Sequence, residues 1–307
     1  MTIGKRSLLL RSIQQNHFYI IRRKESSVSI HPTAIVDPSA KIAEDVIIGP
    51  FCIIESDTVI ESGCEIAARV SIKSGVYMGA NCKVFENAVI GGLGQHVCPP
   101  GPPGKVRIGS NNTFREFCTV HRSIKEDGFT VIGDGNYFMA NAHIAHDCVI
   151  GNNNIVANNV MFGGHVHVGD RAFVSGGVAV HQFCSIGSYA MVGGQSHITK
   201  DVPPFVMVDG LTSRVVGINR VGLRRSGFTS AQISRFKDAY KVVYRQGLPW
   251  KDVLETLKTQ FNEGEEALLY KLLSVSSRGI VQARTQPSLK INRDDMDEGE
   301  TGDSVAA

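Results

Sequence analysis

Every sixth residue from Ile30 to Ile198 is large and apolar with few exceptions. Of 29 such positions 26 carry Ile, Val, Met or Phe, and only His96, Pro102 and Glu126 break the series. The 42% hydrophobic content of the chain gives about 12 by chance. A period of six belongs neither to an amphipathic helix nor to a long strand. It marks a solenoid, whose short units cannot bury their apolar side alone and do so by stacking on their neighbours. The expected fold is mainly β, a parallel β-helix of hexapeptide repeats over residues 30–205.

Four residues after each large apolar position comes a smaller one, among them Ala34, Ala40, Val46, Val70, Ala88, Ala142, Val160, Ala172 and Ala190. Six of the seven cysteines (Cys52, Cys64, Cys82, Cys118, Cys148 and Cys184) share this slot. They read as buried, reduced filler rather than as a disulfide framework or ligand set. Cys98 falls outside the pattern. Two segments interrupt the repeat, a Gly/Pro loop at 91–107 and a shorter loop at 121–130, and loops on a rigid scaffold are common places for binding residues.

The ends differ in kind. Residues 1–24 lie outside the repeat, carry six Lys and Arg and no acid, and lack the apolar core of a secretory signal, so they read as a mitochondrial transit peptide. After Ile198 the period stops, and from about residue 222 to 283 the pattern is helical. Thr229 with Gln232 forms a capping box, Ile233, Phe236, Tyr240, Val243 and Tyr244 make a stripe, and Gly247 with Pro249 ends it. Helices around Trp250, Val253, Leu254 and Leu257 and around Leu268, Leu269, Leu272 and Leu273 complete a smaller α-helical domain. Residues 284–307, acid-rich and polar, are expected to be disordered. A net charge of +3 points to no nucleic-acid partner, and no apolar run approaches the ~20 residues of a membrane span. The chain is therefore expected to be soluble.

If three hexads make one coil, residues 18 apart stack directly, at a spacing of roughly 4.8 Å. His146, His165 and His181 then follow Ile144, Phe162 and Val180 on one face in successive coils, with His143 at the corner leading into it. Gly164 lies one coil above His146. A glycine there admits close backbone approach, so its N–H could face an atom that the imidazole also reaches, an arrangement suited to acyl transfer.

The segments NAHIAHDCVIGN, ANNVMFGGHVHVGD, AVHQFCSIG, MVGGQSHITKDVPPFV and GLRRSGF resemble the UDP-N-acetylglucosamine O-acyltransferases, and the resemblance runs from about residue 30 to 280. It implies a left-handed coil, against the usual handedness of parallel crossovers. It also implies transfer of an acyl chain from acyl carrier protein, on its own phosphopantetheine arm and with no further cofactor or metal, to the sugar 3-hydroxyl in the first step of lipid A synthesis. His146 matches the general base, Asp147 its orienting carboxylate and Gly164 the oxyanion donor. His143, His165, His181 and Gln182 match substrate contacts. Asn219 and Arg225 match positions serving the nucleotide and phosphates, and Gly194 matches the floor of the acyl groove. Arg224 beside Arg225 suits an acidic carrier. The family is a homotrimer, a neighbouring subunit supplying the second wall for the acyl chain.

The chain departs from the family where bacterial members carry QDLKY. Here the residues are Gln95, His96, Val97, Cys98 and Pro99, without the acid and the lysine; Thr212 replaces a common histidine. Two other readings share the coil. A sugar N-acyltransferase usually adds an N-terminal uridine-binding domain, for which the short stretch before Ile30 leaves no room. A γ-type carbonic anhydrase holds zinc on three histidines, and zinc content with carbon dioxide hydration would favour it.

Overall fold

The computed structural model describes residues 29–284. The expected transit peptide lies outside them, as does the tail beyond Arg284. Strands of mostly two residues form three sheets of 11, nine and eight strands, parallel throughout except for the last strand of the first. Sheets 1, 2 and 3 denote these in that order. In sheet 2, His143 pairs with Met161 and Met161 with Ala179, and Ile144, Phe162 and Val180 stack one upon another. The expected coil of three hexads is therefore present. In the two-residue strands the first residue faces out and the second faces in, so a strand and its corner consume one hexad and place one large side chain inside. From Ile48 to Ile198 these positions are buried, whereas Ile30 at the open end remains 39% exposed.

The corners explain a feature the apolar period does not carry. The residue three after each inward side chain repeatedly takes a left-handed backbone, as in Asn81, Asn111, Asn141, Asn153 and Asn159. Asn tolerates this conformation, but Phe51, Phe117, Phe183, His165 and Asp147 also adopt it, at a cost of roughly 1–2 kcal/mol each. The coil is left-handed, and its stacked corners hold those residues in place.

The six cysteines in the small slot are buried and free, and Cys98 is exposed. Burial pushes the Cys118 and Cys148 thiols up to about 12, so neither is a nucleophile near neutral pH. The same slot also holds Asn112, Asn136 and Asn154, at most 1% exposed, one above another inside the corner from sheet 3 to sheet 1. Both loops preserve the phase because they insert whole hexads. Val76 pairs with Val106, two hexads beyond the usual coil, and Thr119 pairs with His143, one hexad beyond it.

Sheet 1 ends with Val206–Val208 and an antiparallel strand, Val215–Ile218. Among the described residues four α-helices follow, α1 Arg220–Arg225, α2 Ser230–Tyr244, α3 Trp250–Gln260 and α4 Ala267–Leu273, with a short 3-10 turn at Gly264–Glu266 before the last. The capping box of Thr229 and Gln232 is present. Along α2 the buried line is Ile233, Phe236, Ala239 and Val242. Tyr240, read as part of the same stripe, packs instead against the core of the coil, and Tyr244 packs against both cores, so α2 is wedged between them. Phe205 stacks on Phe236 at 4.3 Å within the helical core. Helix α1 escapes the sequence pattern because its six residues bury only Leu223. The chain then returns to the coil through bridges from Ile280 to Asp201 and from Ala283 to Val215. Arg284, expected to begin the free tail, still donates its N–H to Val215 O at 2.8 Å. No helix among the described residues is long and apolar enough to cross a membrane.

Candidate active site at the histidine-lined corner

The corner from sheet 2 to sheet 3 stacks His146–Asp147, Gly164–His165 and Gln182–Phe183 in successive coils. His146 Nδ1 lies 2.8 Å from Asp147 Oδ2. With the carboxylate as acceptor, Nδ1 carries the proton and Nε2 is left with a lone pair. Asp147 Oδ1 accepts from Ser123 Oγ at 2.6 Å, Oδ2 accepts from the Ile124 N–H at 3.4 Å, and the Asp147 N–H donates to Thr130 Oγ1 at 2.8 Å. Burial pushes the Asp147 carboxyl up, but the hydrogen bonds from Ser123, His146 and Ile124, with His165 nearby, outweigh it and hold the group below its ordinary value. It is a carboxylate at neutral pH.

Gly164 sits against the His146 ring. A Cβ built on it would fall 2.5 Å from Cε1 and 2.7 Å from Nε2, so the lack of a side chain is what lets the backbone and the imidazole meet. Among the described residues its N–H has no hydrogen-bond partner. The basic nitrogen and a free backbone donor are therefore neighbours, the arrangement needed to deprotonate a nucleophile beside a developing oxyanion.

The two loops finish the site. Loop 91–107 folds over the corner and brings the His96 ring within 5.9 Å of His146, edge to face. A Cβ on Gly94 would fall 3.2 Å from His146 Cβ. His146 is accordingly 6% exposed. The outward offset read from the sequence suggests a side chain that packs nothing; the loop changes this by covering it. His165 packs on His146 at 5.2 Å and stacks on Phe183 at 4.5 Å. Burial lowers the pKa of His165, and Asp147 offsets part of this. A groove of about 620 Å³ starts at His165 and Phe183 and passes Val149 and Ile186 toward Leu268 and Leu272 of α4.

His143 lies in the strand entering this corner. Its Nδ1 is 2.8 Å from Thr119 Oγ1, and its ring is 5.0 Å from that of His121. Burial, with a smaller contribution from His121, lowers its pKa to about 4. His121 and Ser123 are not among the residues the sequence singles out. Both stand in the shorter loop, where no periodicity assigns a face. His181 and Gln182 sit exposed one coil above Gly164, His181 Nδ1 lying 3.1 Å from Gln182 O.

Three of the sequence-derived positions are not brought to this corner by the same chain. Gly194 occupies the corner from sheet 1 to sheet 2, with the Gly176 carbonyl 3.3 Å from where its Cβ would stand. Asn219 caps α1 by accepting from the Gly222 N–H, and it donates to Tyr189 O at 2.9 Å, at the corner from sheet 3 to sheet 1. Arg225, exposed, ends that helix. His146, Asp147 and His165 offer ligand atoms within 4.8 Å of one another, but the Asp147 bond already engages His146 Nδ1.

Comparison with known proteins extends these local observations to most of the chain. A model described as UDP-N-acetylglucosamine O-acyltransferase, domain 2, matches residues 201–281, and one described as bacterial transferase hexapeptide (six repeats) matches residues 129–164. The acyl-[acyl-carrier-protein]–UDP-N-acetylglucosamine O-acyltransferase of Burkholderia orbicola is 49% identical over 263 residues, covering 82% of this chain and 99% of that protein. The enzyme of the same name from Verminephrobacter eiseniae is 46% identical over 260 residues, covering 83% and 99%. Among solved structures, the Acinetobacter baumannii protein LpxA superposes with a TM-score of 0.79 at 42% identity over 82% of this chain and 99% of its own. The Arabidopsis UDP-N-acetylglucosamine acyltransferase gives 0.73 at 34% identity over 82% and 100%. With nearly the full length of these relatives matched and the paired histidine and glycine in place, the chain belongs to the UDP-N-acetylglucosamine O-acyltransferase family.

Proposed function

We propose that this protein transfers a (3-hydroxy)acyl chain from acyl carrier protein to the 3-hydroxyl of UDP-N-acetylglucosamine, the first step of lipid A biosynthesis. The observation that carries the mechanism is the juxtaposition of His146 Nε2 with Gly164, while Nδ1 is tied to Asp147. His146 Nε2 takes the proton of the sugar hydroxyl as its oxygen attacks the thioester carbonyl. Asp147 stabilises the imidazolium, and the Gly164 N–H receives the oxyanion. Collapse of the tetrahedral intermediate breaks the C–S bond, and the proton on Nε2 leaves with the thiolate. The pantetheine arm arrives with the donor, so the residues act by base catalysis and electrostatics alone. His143, His165, His181 and Gln182 flank the sugar and the thioester in this reading.

We also propose a homotrimer. Ile155, Phe173 and Met207 form an outward row on sheet 1, exposed by 40%, 37% and 36%. A second copy against such a row would cover it and bring Asn219, Arg225 and Gly194 to a neighbour's histidines. It would also supply the apolar wall that a long acyl chain needs to leave water. Light scattering that returns a monomer mass for active enzyme rules this out. Residues 1–24 are proposed to direct mitochondrial import, and a reporter fused to them that stays in the cytosol overturns that assignment.

The test of the activity is mass spectrometry of products formed from UDP-N-acetylglucosamine and a panel of acyl carrier protein thioesters. An O-acylated nucleotide sugar supports the reading. Stoichiometric zinc with carbon dioxide hydration and no acylated product replaces it.

A further inference from the structure

The shorter loop adds one hexad to a coil, since Thr119 on one side of it pairs with His143 on the other, and most of what it builds converges on one carboxylate. Ser123 is fully buried. Its hydroxyl has two acceptors in reach, Asp147 Oδ1 at 2.6 Å and Lys125 O at 3.3 Å. The single proton goes to the nearer, charged one. The Lys125 N–H donates to Ser123 Oγ at 3.0 Å, which polarises the hydroxyl toward Asp147. A Cβ on Gly128 would overlap Ser123 Oγ, so the loop needs glycine at that point. The Gly104 N–H donates to Ser123 O at 2.9 Å, which couples the end of the longer loop to the same residue. Thr130, at the exit, accepts the Asp147 N–H.

We infer that Ser123 is a positioning residue for the base, acting through Asp147 in a chain from Ser123 to Asp147 to His146. The need for it lies in a competition. Asp147 Oδ2 is 2.8 Å from His146 Nδ1 but also 3.8 Å from His165 Nε2. A carboxylate bound only through Oδ2 can turn about its terminal torsion, which is broad, and divide itself between the two imidazoles. Ser123 holds Oδ1 and leaves Oδ2 to His146. That fixes the His146 tautomer with its lone pair on Nε2, beside Gly164. Loop 121–130 is thus a buttress for the catalytic carboxylate, supplying the donors to Asp147 from Ser123 and Ile124.

The inference rests on the proposed role of His146, and its test keeps the two apart. Ser123→Ala is expected to lower kcat about tenfold, in keeping with a catalytic group displaced by a fraction of an ångström, with KM within about twofold. In an Asp147→Asn background the same substitution is expected to change kcat by less than about twofold, because its route of action is gone. An equal loss in both backgrounds makes Ser123 merely structural and overturns the inference. Histidine ¹⁵N chemical shifts give a readout independent of turnover. His146 is expected to change from a single Nδ1–H tautomer to a mixture in Ser123→Ala, and an unchanged tautomer also overturns the inference. If Asp147→Asn alone leaves turnover intact while the tautomer still changes, the proposed catalysis fails and the positioning stands. Ser123→Cys, close in volume and a weaker donor, is the second variant if the alanine protein melts early.

Discussion

Two corners at the same height of the coil break the apolar rule in opposite ways. Inside the corner from sheet 3 to sheet 1, Asn112, Asn136 and Asn154 stand in the small inward slot and bond to one another and to the backbone. Asn136 Nδ2 donates to Asn112 Oδ1 at 3.0 Å and to Gly151 O at 2.9 Å, and its Oδ1 accepts from the Asn154 N–H at 2.9 Å. Outside the corner from sheet 2 to sheet 3, His146 spends one ring nitrogen on Asp147 and keeps the other beside Gly164. The asparagine ladder turns its bonding capacity inward, with Asn154 Nδ2 left buried and unpaired at its end. The histidine corner withholds one lone pair and one N–H, and chemistry requires groups that the fold has not used.

The largest break of this comparison is His146→Ala. It should lower kcat by about 10²- to 10⁴-fold, the usual worth of a positioned base. Its neighbour His143→Ala should act more through KM. Because loop 91–107 covers His146, the alanine protein should also melt slightly earlier than the parent, an effect of about 1 kcal/mol. Steady-state kinetics with a thermal melt check both, and activity within a few fold of the parent removes the base assignment.

Gly164→Ala comes next. Its methyl would occupy space 2.5 Å from His146 Cε1, so the imidazole must swing away from the backbone donor. A loss of about 10²-fold in kcat is expected, with almost no additional loss when His146 is already alanine. Full additivity of the two substitutions would mean that the ring and the glycine do not work together.

Asn136→Ala tests the other corner. It strands the Gly151 carbonyl and the Asn154 N–H, which bond to its side chain, each costing about 1–3 kcal/mol when buried and unpaired. The melting temperature should fall while kcat stays within about twofold. A catalytic loss without a stability loss would reverse the roles assigned to the two corners.

The sequence exposed most of this because the six-residue period determines which way each side chain faces. The coil, the buried cysteines and the stacking of His146 under Gly164 all follow from counting. The resemblance added the roles. Residues that the period does not index stayed hidden. Ser123 and His121 lie in an inserted loop, and α1 buries a single leucine. His96 is counted as a break in the series, but nothing in the period shows that its loop folds back over His146. The left-handed backbone of Asp147 and His165 was equally invisible, because corner geometry leaves no mark on hydrophobicity. The asparagine ladder was legible in principle. Its members occupy the counted slot, but a pattern search for apolar residues passes over them.

A smaller effect is expected at Gly194, on the corner from sheet 1 to sheet 2, where the nearest atom to a new Cβ is 3.3 Å away. Gly194→Met should shorten the preferred acyl chain, each excluded methylene being worth about 0.8 kcal/mol of burial. An unchanged chain-length profile places the acyl groove elsewhere.

The smallest effect separates the corners by pH. Burial lowers the His143 pKa from 6.5 to about 4. Below pH 6.5 the unfolded chain binds a proton that the folded chain refuses until pH 4, so stability falls as pH drops through that window and is unaffected above it. His121, 5.0 Å away, and His165 are lowered in the same direction. His143→Gln should therefore reduce, without abolishing, the loss of melting temperature between about pH 6.5 and pH 4. Asn136→Ala, which removes no titrating group, should lower the melting temperature by a similar amount at every pH. If both variants retain the parental slope, His143 titrates normally in the folded protein. The contrast between a corner that is pH-sensitive and one that is not would then rest on His121 and His165 alone.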